Sequence, residues 1–128
     1  MRDESFLEQF EQCTLPKEYF NHKGHLRLAW LYLGKYPFTE ACEQIRSGIK
    51  RYAASLGASQ IYHETMTMAW ARLVFHAMQS KKADTFAEFE AEHPQLFNSK
   101  LIHEYYSASL LQSDAAKSEW VEPDLKSL

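Results

Sequence analysis

The sequence predicts an all-α protein, a single compact helical bundle of three to four longer helices followed by short C-terminal ones. Three observations carry that expectation. Four glycines and four prolines in 128 residues supply too few turns for a β-sandwich or barrel. Apolar residues recur at helical spacing in nearly every segment between those breakers. The apolar fraction of 45% and aromatic fraction of 14% are enough for one domain over residues 1–128, without disulfides or structural metal.

The elements follow in order. Residues 3–13 form an amphipathic helix, with Phe6, Leu7 and Phe10 on one stripe and Glu4, Glu8 and Glu11 around the rest. Thr14, Leu15 and Pro16 end it, and Lys17 to Phe20 connect. A second helix runs from about Asn21 or His22 to Tyr36, capped by Asn21 and stopped by Pro37. Leu26, Ala29, Trp30 and Leu33 form its core stripe. Thr39 is the expected cap of a third helix reaching about Leu56, with Gly57 as the residue just past its end. The fourth helix, from Tyr62 or His63 to about Gln79, is apolar almost all round and is expected at the centre of the fold. Its methionines and Trp70 read as core. Asp84 opens a short helix through Ala91, Pro94 a segment through Phe97, and Ser99 a helix through Tyr106. Ser113 or Asp114 caps a last one ending near Val121. From about residue 122 a polar tail is expected.

The net charge of −3 argues against strong attraction to nucleic acid or membranes, and the bases form no stripe interleaved with aromatics. The charge is uneven. Residues 1–82 hold 11 bases and 8 acids, and residues 83–128 hold 3 bases and 9 acids. Cys13 and Cys42 form no C-x-x-C pair and read as reduced thiols. With no signal-peptide pattern at the start and no stretch of roughly 18 apolar residues, a cytoplasmic protein is expected. A homodimer is left open.

Common catalytic signatures fail. The glycines are too scattered for a phosphate loop, and there is no G-x-S-x-G elbow. His63-Glu64-Thr65-Met66-Thr67 starts like H-E-x-x-H but has Thr67 in place of the second histidine. The histidines nevertheless form a pattern. His22 and His25 are three apart on one helix face, roughly 5–6 Å between Cβ atoms, and His63 opens the fourth helix. If the second and fourth helices pack in parallel, His22, His25 and His63 are candidate ligands of one divalent metal, zinc or iron. Glu64 would then position or deprotonate a water, and Glu18 is an alternative carboxylate. The simpler reading is that these histidines cap helices or are buried with satisfied nitrogens.

Helix N-termini also collect backbone donors. The same histidines, with Lys23 and Arg27, could instead hold a carboxylate or phosphate without metal. Arg72 interrupts the apolar fourth helix. It needs a partner, either an acid such as Glu64 or a C-terminal carboxylate, or else a ligand carboxylate that it anchors. Tyr105 and Tyr106 are adjacent and point different ways. One belongs to the core, and Tyr105 is a candidate ligand-binding residue.

Two longer stretches, His22-Lys23-Gly24-His25-Leu26-Arg27-Leu28-Ala29-Trp30 and Tyr62-His63-Glu64-Thr65-Met66-Thr67, stand out. With Tyr105-Tyr106-Ser107 and Trp120-Val121-Glu122-Pro123-Asp124-Leu125, they resemble a family of small uncharacterised bacterial all-helical proteins. The resemblance spans most of the chain and implies no catalytic residue. It adds weight to the histidines lying within those segments. The functional expectation is a small-molecule enzyme with a histidine-rich, metal-binding pocket between the second and fourth helices. The alternatives are a non-catalytic binder of an anionic ligand and a protein-interaction module with an acidic C-terminal surface.

Overall fold

The computed structural model describes residues 1–128. The chain is all-α, with seven α-helices and four 3-10 turns and no strand. No helix is long and apolar enough to cross a membrane. The chain divides into two compact units, Met1–Tyr62 and His63–Leu128.

The first unit holds α1 (Asp3–Glu11), α2 (His22–Lys35) and α3 (Phe38–Ser55), with 3-10 turns at Lys17–Tyr19 and Ser59–Ile61. Phe6 and Phe10 are the buried stripe of α1. The Phe10 ring meets Phe20 and Tyr52 at centroid distances of 5.3 and 5.5 Å. The Tyr52 hydroxyl, inside this cluster, donates to the Leu15 carbonyl at 2.6 Å. α2 packs along α3. It begins where expected, with the Asn21 side chain accepting from the Gly24 amide. A Cβ at Gly24 would lie 2.1 Å from the Tyr19 carbonyl oxygen, so glycine lets the 3-10 turn press against the helix start. α3 begins one residue before its expected Thr39 cap. Pro37 supplies extended backbone there and accepts the first helical bond, from Ala41.

α1 and α3 end in the same hydrogen-bond pattern. The Thr14 amide reaches Gln9 and the Cys13 amide reaches Phe10; Ala58 reaches Ala53 and Gly57 reaches Ala54. Both closures need a left-handed residue. Gly57 supplies it at φ 70°, whereas at the end of α1 a cysteine, Cys13, is held at φ 60°.

The second unit is built on α4 (Glu64–Ser80), followed by α5 (Phe86–Glu92), 3-10 turns at Pro94–Phe97 and Ser99–Glu104, α6 (Ala108–Leu111) and α7 (Asp114–Ser118). α4 packs against α7 and the Ser99–Glu104 turn. Ala69, Ile102, Tyr106 and Leu111 form a buried cluster, with Met66, Trp70, Tyr105, Trp120, Val121 and Leu128 packed around it. The short helices are begun by side chains that accept first-turn amides: Thr85 for α5, Ser107 for α6 and Ser113 for α7. The sequence pattern predicts one helix continuing through Tyr106, with no start at Ser107. The chain instead tightens into 3-10 geometry from Ser99 and restarts at Ser107.

Candidate functional site

In the first unit, His22 opens α2 and His25 follows one turn later. The His25 ring stacks on Phe20 at 4.0 Å and 28°. One face is therefore crowded by protein while the residue as a whole stays exposed to water. Desolvation on that face, and secondly the charge of His22, lower its pKa below the ordinary histidine range. Its contact with water limits the shift, because a solvated imidazole loses little hydration. Glu18 stands exposed on the preceding 3-10 turn.

Arg27, expected to bind a ligand, is already committed. Its Nε and Nη2 reach Asp3 Oδ1 at 3.1 and 2.7 Å, Nη2 also donates to the Met1 carbonyl at 2.6 Å, and the guanidinium lies 4.7 Å from the Phe6 ring centroid. It clamps the start of α1 onto α2. The Nε and Nη2 donors of Arg27 are thus engaged inside the fold.

In the second unit, His63 caps α4. Its Nδ1 accepts from the Met66 amide at 3.1 Å. That places the ring proton on Nε2, which donates to the Leu111 carbonyl at 2.7 Å. Both nitrogens are spent, one on the helix and one on tying α6 to it. No group of three or more His, Cys, Asp or Glu side chains is placed to hold a metal ion. Of the expected ligands His22, His25 and His63, the last engages both ring nitrogens within the fold, whereas a metal ligand needs a free imidazole lone pair. Glu64, the expected base, is buried at the first turn of α4 with 8% exposure.

The next residue, Thr65, has a role that no motif in the sequence signals. It is fully enclosed. Its hydroxyl donates to the Glu119 carbonyl at 2.8 Å and accepts from the Val121 amide at 3.2 Å. The expected polar tail is consequently a strap. The Tyr106 hydroxyl donates to the Val121 carbonyl at 2.7 Å. Asp124 accepts from the Ser107 amide and hydroxyl at 2.8 and 2.6 Å, and these two bonds hold its carboxyl below the usual range. The Leu125 amide reaches the Tyr105 carbonyl at 3.0 Å. The sequence signal for this strap is the run Trp120-Val121-Glu122-Pro123-Asp124-Leu125, whose apolar members are out of place in a solvated tail.

The strap delivers Trp120 to Arg72. The guanidinium lies 4.3 Å from the Trp120 ring centroid, within range of a cation–π contact. Neither Glu64 nor a C-terminal acid pairs with it, and Arg72 makes no ion pair or hydrogen bond. The residue is half-buried. Trp120 in turn donates its indole N–H to Glu122 Oε1 at 3.1 Å and meets Tyr106 edge-on at 6.4 Å. Burial raises the pKa of the Tyr106 phenol, Glu122 raises it further, and Arg72 opposes them. Arg72 and Glu122 therefore both act on the surroundings of one hydroxyl. Tyr105, the other candidate ligand-binding residue, is half-buried beside the same cluster, with Lys126 Nζ 5.0 Å from its ring centroid.

Set against models of known families, curated proteins and solved structures, the chain matches none of them.

Proposed function

We propose that this protein binds a small organic anion, with Arg72 gripping its carboxylate. One observation carries the reading. A half-buried arginine in the middle of an apolar helix lies on Trp120, with no acid and no hydrogen-bond acceptor to occupy its N–H fork. No guanidinium nitrogen of Arg72 is both buried and unpartnered, so the fork meets water and is open to a ligand, while the indole contact holds the cation by about 0.5–2 kcal/mol. Contact with the indole restrains the side chain, which lowers the entropy lost when the fork closes on a planar carboxylate. Of the chemistries the histidine pattern suggested, non-catalytic anion binding is the one this arrangement favours, moved from the start of α2 to α4 and the strap.

The test is thermal stability at low ionic strength with millimolar acetate, 4-methylpentanoate, 3-phenylpropanoate and inorganic phosphate. A ligand at 100 times its Kd stabilises a protein by about 2.7 kcal/mol, which a melting curve resolves. At least one carboxylate is expected to stabilise the wild type, with Arg72→Ala abolishing the effect and Arg72→Lys weakening it. A wild type indifferent to all four, or an Arg72→Ala protein that responds like the wild type, overturns the reading.

A further inference from the structure

The geometry points to a zwitterion as the ligand: an amino acid, or a molecule ending in an amino acid's charged groups, with its carboxylate on Arg72 and its ammonium on Glu122. This rests on the anion-binding reading above and narrows it to one chemical class.

Two opposite charges flank Trp120. Arg72 occupies the face of the indole, 4.3 Å from the ring centroid, and Glu122 occupies its N–H edge at 3.1 Å. Face and edge are perpendicular directions, so the two charges sit around a corner of one ring. They form no ion pair with each other, although a single side chain separates them. Glu122 is exposed, and only one of its oxygens is engaged, by the indole N–H. Asp124, the other acid near Tyr106, has both oxygens taken by Ser107. The site therefore presents one cation with no protein acceptor and one carboxylate with a single engaged oxygen, both in contact with the same indole. A dianionic phosphate meets repulsion from Glu122 there. An α-amino acid carries its own carboxylate and ammonium at adjacent carbons, and charge-assisted hydrogen bonds to both are stronger than to either alone. The exposed part of Trp120 is left to meet the side chain.

Binding to the full-length protein is measured by calorimetry with two matched sets. One is leucine, 4-methylpentanoate and 3-methylbutylamine; the other is phenylalanine, 3-phenylpropanoate and 2-phenylethylamine. Within at least one set, the amino acid is expected to bind about tenfold more tightly than the acid, equivalent to about 1.4 kcal/mol, and the amine to bind weakly or not at all. Glu122→Gln is expected to bring amino acid and acid to the same affinity, whereas Arg72→Ala removes both. Acids that bind the wild type as tightly as their amino acids, or an amino-acid preference that survives Glu122→Gln, refute the zwitterion while leaving anion binding at Arg72 in place. If no acid and no amino acid binds, both readings fall.

Discussion

Thr65→Val is the most direct probe of the strap, because it removes one hydroxyl and keeps the shape of the side chain. That hydroxyl holds two backbone groups of the strap, the Glu119 carbonyl at 2.8 Å and the Val121 amide at 3.2 Å. Thr65 has no exposed surface and Val121 is half-buried, so water does not simply take over the lost bond to the amide. The Glu119 carbonyl belongs to an exposed residue and is more readily rehydrated. One bond lost at a net value near 1 kcal/mol, plus a poorly rehydrated N–H costing about 1–3, gives an overall loss of about 2–4 kcal/mol. With m near 2 kcal/mol/M, the urea midpoint falls by about 1–2 M at unchanged m. Tyr106→Phe removes a second bond to Val121, the one to its carbonyl at 2.7 Å, and should cost about 1 kcal/mol. Since both hydroxyls bind Val121, the double variant should lose less than the two single losses combined. Hydrogen exchange locates the effect, with the Val121 and Leu125 amides losing protection first in Thr65→Val. A change below about 0.5 kcal/mol, the usual range for surface substitutions, or undiminished protection at Val121, refutes the strap as a structural element.

Three further outcomes are expected. His63→Ala should destabilise by about 1–3 kcal/mol through the lost helix cap and the lost bond to Leu111. His63→Asn, which can still cap, should recover about half; equal losses in urea would show that capping is not the role of His63. Cys13→Gly should stabilise by about 0.5 kcal/mol. Relief of a left-handed residue, worth about 1–2 kcal/mol, exceeds the roughly 0.5–1 kcal/mol entropy cost of glycine, and a midpoint at or below wild type refutes the strain at φ 60°. The lowered pKa of His25 means that the unfolded chain takes up this proton first as the pH falls. The His25 contribution to stability is therefore present above pH 6.5 and lost progressively toward about 4. Its solvent contact keeps the loss small. His25→Gln should show a shallower decline between pH 7 and 4.5, and identical slopes count against the shift.

Features confined to a few neighbouring residues were legible in the sequence. Asn21 three residues before Gly24, Pro37 at the end of α2, and Gly57 after α3 all act where their sequence positions predict. Their signals are local, and propensity and capping are local physics. What escaped was carried by backbone atoms far away in sequence. Thr65 and His63 look like ordinary residues at a helix start. Their partners, the Glu119 carbonyl, the Val121 amide and the Leu111 carbonyl, have no side-chain identity for a motif to reveal. The same limit applies to the third histidine of the expected metal set, because a position at a helix start says nothing about which His63 nitrogens the fold engages. Arg72 marks the boundary between the two cases. Its charge in an apolar helix was visible, and it demanded a partner. An acid was the natural expectation because Coulomb attraction is the obvious compensation, yet the structure supplies an indole from the supposed tail. An aromatic face shelters a cation without neutralising it or filling its hydrogen bonds. That difference leaves the Arg72 fork without a protein acceptor, unlike that of Arg27 on the Asp3 carboxylate, and the proposed anion binding rests on it.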